Sequence, residues 1–372
     1  MFRKLFYVFL LIFPACINGQ ENSLISGNIQ RKNFFTDRLI ECKYHYGFIW
    51  PHHSSIEYSV TSHVPAFEIN LLYQTTGKDI WEKLFRKPRI GYGFSYYYMR
   101  DHDVFGSALG FYGLYDIPFL KIRSFVSTYR INCGLSYLTE VWDLNDNFLQ
   151  TAIGSHINIY FRLSMNARLS VSKKSEFIID AGITHCSNGR TTLPNLGINL
   201  VTSTIGYIYK FNASNLSEIK YKHPGALKRF NFNLSYAGGI VAVNHFINER
   251  YYKSTMSIQG GYNLNYRRQI GVGFDLFFDG PKKYDFREAG VSNYKTKDLL
   301  EAGMLIYQDL IFRKLVLTIQ AGYYLYHRYD YDMIYNRYGL KYKLNDHTFV
   351  SLSLKAHTTR ADFVEWGVGY SF

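Results

Sequence analysis

The chain has 372 residues and a formal charge of +13, with 34 Tyr, 29 Phe and 29 Gly but only 8 Pro. Aromatic residues make up 18% of it while mean hydropathy is only −0.16; a soluble core so rich in aromatics would be more apolar, whereas an apolar outer wall around a polar interior gives both values at once. No later stretch has the roughly 18 apolar residues in a row that a membrane helix needs, and the basic residues are spread through turns and not gathered in a patch, which argues against nucleic acid and for anionic lipid headgroups as partners.

In chain order, Arg3 and Lys4 precede a short apolar run from Leu5 to Phe13, followed by small or polar residues up to Gly19 and Gln20. Residues 1–19 read as a secretory signal peptide, cut near Gly19. Cys16 offers a lipoprotein reading, for which Phe13-Pro14-Ala15 is a poor context. Residues 20–36 are expected to form a periplasmic segment. Sixteen strands are expected after it, at 37–50, 66–75, 89–100, 107–116, 123–137, 155–165, 176–187, 198–211, 229–241, 255–266, 269–278, 298–311, 315–326, 334–344, 348–357 and 361–372.

The signal behind these strands is period-two alternation. In 230–236, Phe230, Phe232, Leu234 and Tyr236 alternate with Asn231, Asn233 and Ser235. The pattern recurs in 256–265 and again in 350–357, from Val350 to His357. Successive strand side chains point to opposite faces, so each segment has one apolar and one polar face. In the last strand Val364, Trp366, Val368, Tyr370 and Phe372 share a face. This resembles the C-terminal signal that the barrel assembly machinery recognises in bacterial outer-membrane proteins. The expected fold is all-β, a transmembrane antiparallel barrel of the outer membrane of a Gram-negative bacterium, with about 12 to 16 strands. Connections alternate between short and long, as in such barrels. The exception is 212–228, which is long but falls among the short ones. One barrel is favoured over two, because a small barrel within 37–211 would have to close its wall in mid-chain; 212–372 then supplies further strands of the same wall.

Cys42, Cys133 and Cys186 are an odd number, far apart, which argues against a disulfide framework. No Cys/His spacing matches a zinc site. His52 and His53 follow Pro51 in an expected outer loop and read first as solvated. Asp101, His102 and Asp103 form a loop cluster with some potential for calcium, and Asp330 and Asp332 read as a surface loop.

The segment that carries chemistry runs from Thr184 to Asn199. Within 176–187, Phe177, Ile179, Ala181 and Ile183 share one face, and Glu176, Asp180 and Thr184 the other, with Ile178 as an exception. His185 and Ser187 continue the apolar row. A His and a Ser two apart on one strand face lie within hydrogen-bond reach, and such a His can take the proton of a nucleophilic Ser. Asn199 falls in the corresponding row of the next strand and can hold the imidazole. Asn188, the Gly189 amide and Asn195 are candidate oxyanion donors. Polar groups on a lipid-facing wall are costly and usually functional.

The string His185-x-Ser187-Asn188, followed by Pro194-Asn195-x-Gly197, resembles the active-site motif of the PagL lipid A 3-O-deacylase (acyloxyacyl hydrolase) family, over a span from about residue 37 to Phe211. The resemblance implies Ser187 as nucleophile, His185 as base and Asn195 as oxyanion donor. That family commonly has Glu as third member, where this sequence has Asn199. The same stretch, His185-x-Ser187-Asn188-Gly189-Arg190 with Asn199 fourteen residues after the His, is similar to outer-membrane phospholipase A, whose triad is Ser-His-Asn. That resemblance makes Asn199 the orienting residue and places Arg190 and Asn195 near a calcium site. The expected function is a serine esterase removing an acyl chain from lipid A or lipopolysaccharide, with no cofactor. A calcium-dependent phospholipase and a non-enzymatic porin-like barrel are the alternatives.

Overall fold

The computed structural model describes residues 38–100, 104–212, 225–244, 246–247, 249–327, 332–358 and 360–372. The expected signal peptide, the segment 20–36, the Asp101-His102-Asp103 cluster and Asp330 lie outside the described residues.

Among the described residues sixteen strands are present, and they close into two barrels of eight. The first contains β1 (Arg38–Ile49), β2 (His63–Gln74), β3 (Arg89–Tyr98), β4 (Ser107–Ile122), β5 (Phe125–Leu138), β6 (Ile157–Ser170), β7 (Ser175–Ser187) and β8 (Ile198–Lys210). The second contains β9 (Phe230–Ala242), β10 (Arg250–Asn265), β11 (Arg268–Asp279), β12 (Leu300–Phe312), β13 (Leu315–Tyr326), β14 (Ile334–Lys343), β15 (Thr348–His357) and β16 (Arg360–Ser371). The single wide barrel favoured from the sequence is therefore corrected. β8 pairs with β1, from Leu39↔Lys210 to Ile49↔Leu200, and the wall does close in mid-chain. In a bilayer a strand edge cannot stay unpaired, so either arrangement must close. Strand alternation is the same in both and does not choose between them. The correction also accounts for 212–228, which joins one barrel to the other.

The two ends of each barrel differ. One end has tight connections, such as Arg123 and Arg313 at positive φ in the β4–β5 and β12–β13 turns. The other end has the long loops, including 139–156, 188–197 and 280–299. Short turns are periplasmic in outer-membrane barrels, which puts the long loops and the outer ends of β7 and β15 on the extracellular side. A short helix, Ile80–Leu84, lies on the periplasmic side.

Alternation holds in detail. On β1, Glu41, Lys43 and His45 are buried while Tyr44, Tyr46 and Phe48 are exposed. The lumen of the first barrel is filled by ion pairs: Lys43 meets Asp180 at 2.5 Å, Arg162 meets Asp180 at 2.7 Å, and Arg89 meets Glu176 at 2.7 Å. The second lumen repeats the solution with Lys253–Asp362 at 2.7 Å, Lys355–Asp362 at 2.8 Å and Arg337–Glu365 at 2.7 Å. A buried charge is tolerated only when paired, and removing one partner costs about 3–5 kcal/mol. The first lumen is thus filled by a network of shared charges; in the second, the polar cavity beside Arg337 and Glu365 measures about 30 Å³ and another, lined by Asn233, Asn263, Gln269 and Lys341, about 280 Å³.

The barrels touch at both ends. On the periplasmic side Phe85 stacks on Phe312, with ring centroids 4.2 Å apart, and Arg267 donates to the Leu84 carbonyl at 3.1 Å. On the extracellular side the amide of Ala242 donates to the Arg190 carbonyl at 3.0 Å.

Candidate active site

β7 alternates as its sequence requires. Phe177, Ile179, Ala181 and Ile183 are exposed on the outer face, while Glu176, Ile178, Asp180, Thr184 and Cys186 point inward and are buried. His185 and Ser187 extend the outer row. Their side chains lie along the strand, and the two meet, with His185 Nε2 and Ser187 Oγ 3.0 Å apart. β8 pairs with β7 in a register that sets Asn199 directly opposite His185. Directly paired residues hold their Cβ atoms about 4.5–5.5 Å apart, and here His185 Nδ1 lies 2.7 Å from Asn199 Oδ1. The amide oxygen of Asn199 carries no proton, so His185 Nδ1 donates. That leaves Nε2 to accept from the Ser187 hydroxyl, which is the arrangement a general base needs.

The loop 188–197 is tied down from several sides. The backbone amide of Asn188 donates to Asn195 Oδ1 at 2.9 Å, and Asn188 Nδ2 donates to Ser155 Oγ at 2.8 Å. Thr191 Oγ1 donates to the Asn188 carbonyl at 3.2 Å, and the Gly197 amide donates to the Ala152 carbonyl at 2.9 Å. Gly197 has φ +83°, and a Cβ there would lie 2.7 Å from His185 Cε1. Only glycine allows both that backbone and the close approach of the imidazole. Gly189 has φ +60°, and a Cβ on it would lie 2.1 Å from Val364 Cγ2, so the residue after Asn188 rests directly on β16 of the second barrel. That contact buries Val364, although Trp366, Val368, Tyr370 and Phe372 of the same row are exposed.

Ser187, His185 and Asn199 are thus brought together. Of the candidate oxyanion donors, Asn188 has its backbone amide and its Nδ2 engaged, by Asn195 and Ser155. Arg190 is on the same loop with φ +69°, and its carbonyl is held by Ala242. Asn195 Oδ1, the atom a cation would use, already accepts from Asn188. Among the described residues no group of three or more His, Cys, Asp or Glu is placed to hold a metal ion. Cys42, Cys133 and Cys186 are unpaired. His53 accepts from the Ser55 amide at 3.3 Å and so caps the helical turn Ser54–Glu57. His52, read from sequence as a solvated loop residue, is exposed and also lies against Asn199: Asn199 Nδ2 and His52 Nδ1 are 3.0 Å apart. Its only sequence signal was a histidine just beyond the end of the strand that closes the barrel against β8.

The family model described as Lipid A 3-O-deacylase (PagL) matches residues 66–208, and the one described as Acyloxyacyl hydrolase, C-terminal domain matches residues 230–372. The matches fall one on each barrel. No curated protein matches the chain. Among solved structures, Neisserial surface protein A (NspA) is 11% identical, with TM-score 0.32, covering 47% of this chain and 97% of that one. A Rhodopseudomonas blastica porin triple mutant is 9% identical, with TM-score 0.17, covering 90% and 99%. The chain belongs to the PagL family of lipid A deacylases and is an outer-membrane β-barrel protein.

Proposed function

We propose that the protein is a serine esterase that removes an acyl chain from lipid A or lipopolysaccharide, with Ser187 as nucleophile, His185 as general base and Asn199 holding the imidazole. The observation that carries the reading is the continuous chain from Ser187 Oγ through His185 to Asn199 Oδ1, at 3.0 and 2.7 Å. It extends the outer row of β7 at the end that carries the long loops, the end that on this reading meets the outer leaflet and the lipid A ester. The basic side chains of the outer loops suit its phosphates.

In this mechanism Ser187 Oγ attacks the ester carbonyl as its proton passes to His185 Nε2. The carbonyl oxygen takes the negative charge and is met by the Gly189 amide and Asn195 Nδ2. Collapse of the tetrahedral species breaks the bond to the sugar oxygen, which leaves with the proton from His185. Water then attacks the acyl-serine, losing its proton to His185, which returns it to Ser187 Oγ as the acyl–oxygen bond breaks and the fatty acid departs. Asn199 keeps Nδ1 protonated and Nε2 available throughout.

A phospholipase is the second reading, favoured by the amide of Asn199 in place of a carboxylate. The ion-pair networks that cross both lumens weigh against a passive channel. Mass spectrometry of the purified protein in detergent with lipid A, and separately with phospholipid, with and without calcium, separates the readings. Loss of one acyl chain from lipid A, absent in Ser187→Ala, is expected. Fatty acid from phospholipid alone, and only with calcium, assigns the phospholipase. No product from either removes the esterase reading.

A further inference from the structure

An asparagine differs from a carboxylate in having two unlike ends. Only Oδ1 can accept from His185 Nδ1. If the amide turned over, Nδ2 would face the imidazole, His185 would have to accept at Nδ1 and carry its proton at Nε2, and Ser187 would lose its base. Something must therefore choose the orientation of Asn199.

The loop after β1 supplies it. The Trp50 amide donates to the Asn199 carbonyl at 2.8 Å, extending the β1–β8 pairing by one residue. Pro51 then turns the chain and brings His52 over the Asn199 side chain. His52 Nδ1 lies 3.0 Å from Asn199 Nδ2, and His52 Nε2 lies 2.9 Å from the Leu196 carbonyl. His52 Nδ1 also lies 3.3 Å from the Trp50 carbonyl, a longer contact that would need the proton on Nδ1; the two shorter bonds are satisfied together by one other placement. The Leu196 carbonyl can only accept, so Nε2 carries the proton and donates; Nδ1 is then an acceptor, and Asn199 Nδ2 donates to it. A hydrogen-bonded row thus runs from Leu196 through His52, Asn199 and His185 to Ser187, with every donor meeting an acceptor.

We infer that His52 is a positioning residue, the fourth member of the catalytic row, which selects the productive orientation of the Asn199 amide. The inference rests on the esterase reading of Ser187 and assigns a task that arises only because the third member is an amide. A carboxylate at the same place would accept from His185 with either oxygen and would need no such partner.

The test is the rate at which a fluorophosphonate probe, which reacts with activated serines whatever their substrate, labels the purified full chain in detergent micelles. The variants are His52→Ala, His52→Asn, Asn199→Asp and the double variant His52→Ala with Asn199→Asp. His52→Ala is expected to lower the limiting labelling rate about three- to tenfold, the equilibrium worth of one hydrogen bond, with the half-saturating probe concentration unchanged. His52→Asn, which keeps an acceptor where Nδ1 stood, restores most of the rate. In the Asn199→Asp background the His52→Ala change has no further effect. If His52 only shaped its loop, the loss would be equal in both backgrounds, and that result overturns the inference, as does full labelling of His52→Ala. Failure of the wild-type chain to label while Ser187→Ala is equally silent removes the esterase reading and the inference together.

Discussion

The seventh strands of the two barrels, β7 and β15, occupy the same place in the pairing order and both end near a histidine, yet the two imidazoles face opposite ways. On β7 the outer row is odd-numbered, and His185 falls on it, opposite Asn199 and beside Ser187. On β15 the inner row is odd-numbered, with Ser353 and Lys355 buried, and His357 follows them inward to Tyr324, its Nε2 3.0 Å from the tyrosine Oη. Tyr324 belongs to an interior cluster with Phe277, Leu305, Tyr307 and Tyr335. A one-residue change of parity in a period-two strand is enough to exchange faces. The same residue type therefore meets Ser187 and Asn199 in one barrel and closes an aromatic core in the other. What the second barrel offers the first is a surface: Val364 under Gly189, Ala242 bonded to Arg190, and Arg250 Nη2 3.5 Å from Thr192 Oγ1.

The sharpest break in this comparison is Ser187→Ala, which should lower ester hydrolysis at least about 10³-fold while the barrels stay folded. Product release followed by mass spectrometry, with heat-modified gel mobility as the folding check, reads both. Next is Gly197→Ala. Its positive φ and the approach to His185 Cε1 cost on the order of 1–3 kcal/mol, so a five- to hundredfold fall in kcat is expected, larger than any change in KM. Gly189→Ala tests the contact between the barrels. Alone it should impair hydrolysis about tenfold by pressing the loop off Val364; combined with Val364→Ala, which vacates that space, part of the loss should return, and a double-variant cycle measures how much. Strictly additive losses would mean that the second barrel does not set the loop. The smallest effect belongs to Tyr324→Phe, which removes the bond to His357. Stability should fall by about 1 kcal/mol and hydrolysis should not change.

How much of this was legible in the sequence depends on whether the information is local. Alternation along β7 and β8 placed His185, Ser187 and Asn199 on one face before any pairing was known, because period two and a two-residue spacing are properties of the strand itself. The pairing of β1 with β8 is not local, and the residues of 230–372 alternate in the same way whether they widen one wall or build another. His52 was missed for the same reason. It gains its partner only when barrel closure brings the end of β1 beside Asn199. Asn188 read as an oxyanion donor, but the folding of loop 188–197 engages its backbone amide with Asn195 and its side-chain amide with Ser155.

The claim that one barrel carries the chemistry and the other supports it is tested most directly by mapping where a fluorophosphonate attaches along the whole chain, by peptide mass spectrometry of the labelled wild-type protein. The account predicts a single adduct on Ser187 and none within 230–372. An adduct in the second barrel, or labelling that persists unchanged in Ser187→Ala, would contradict it.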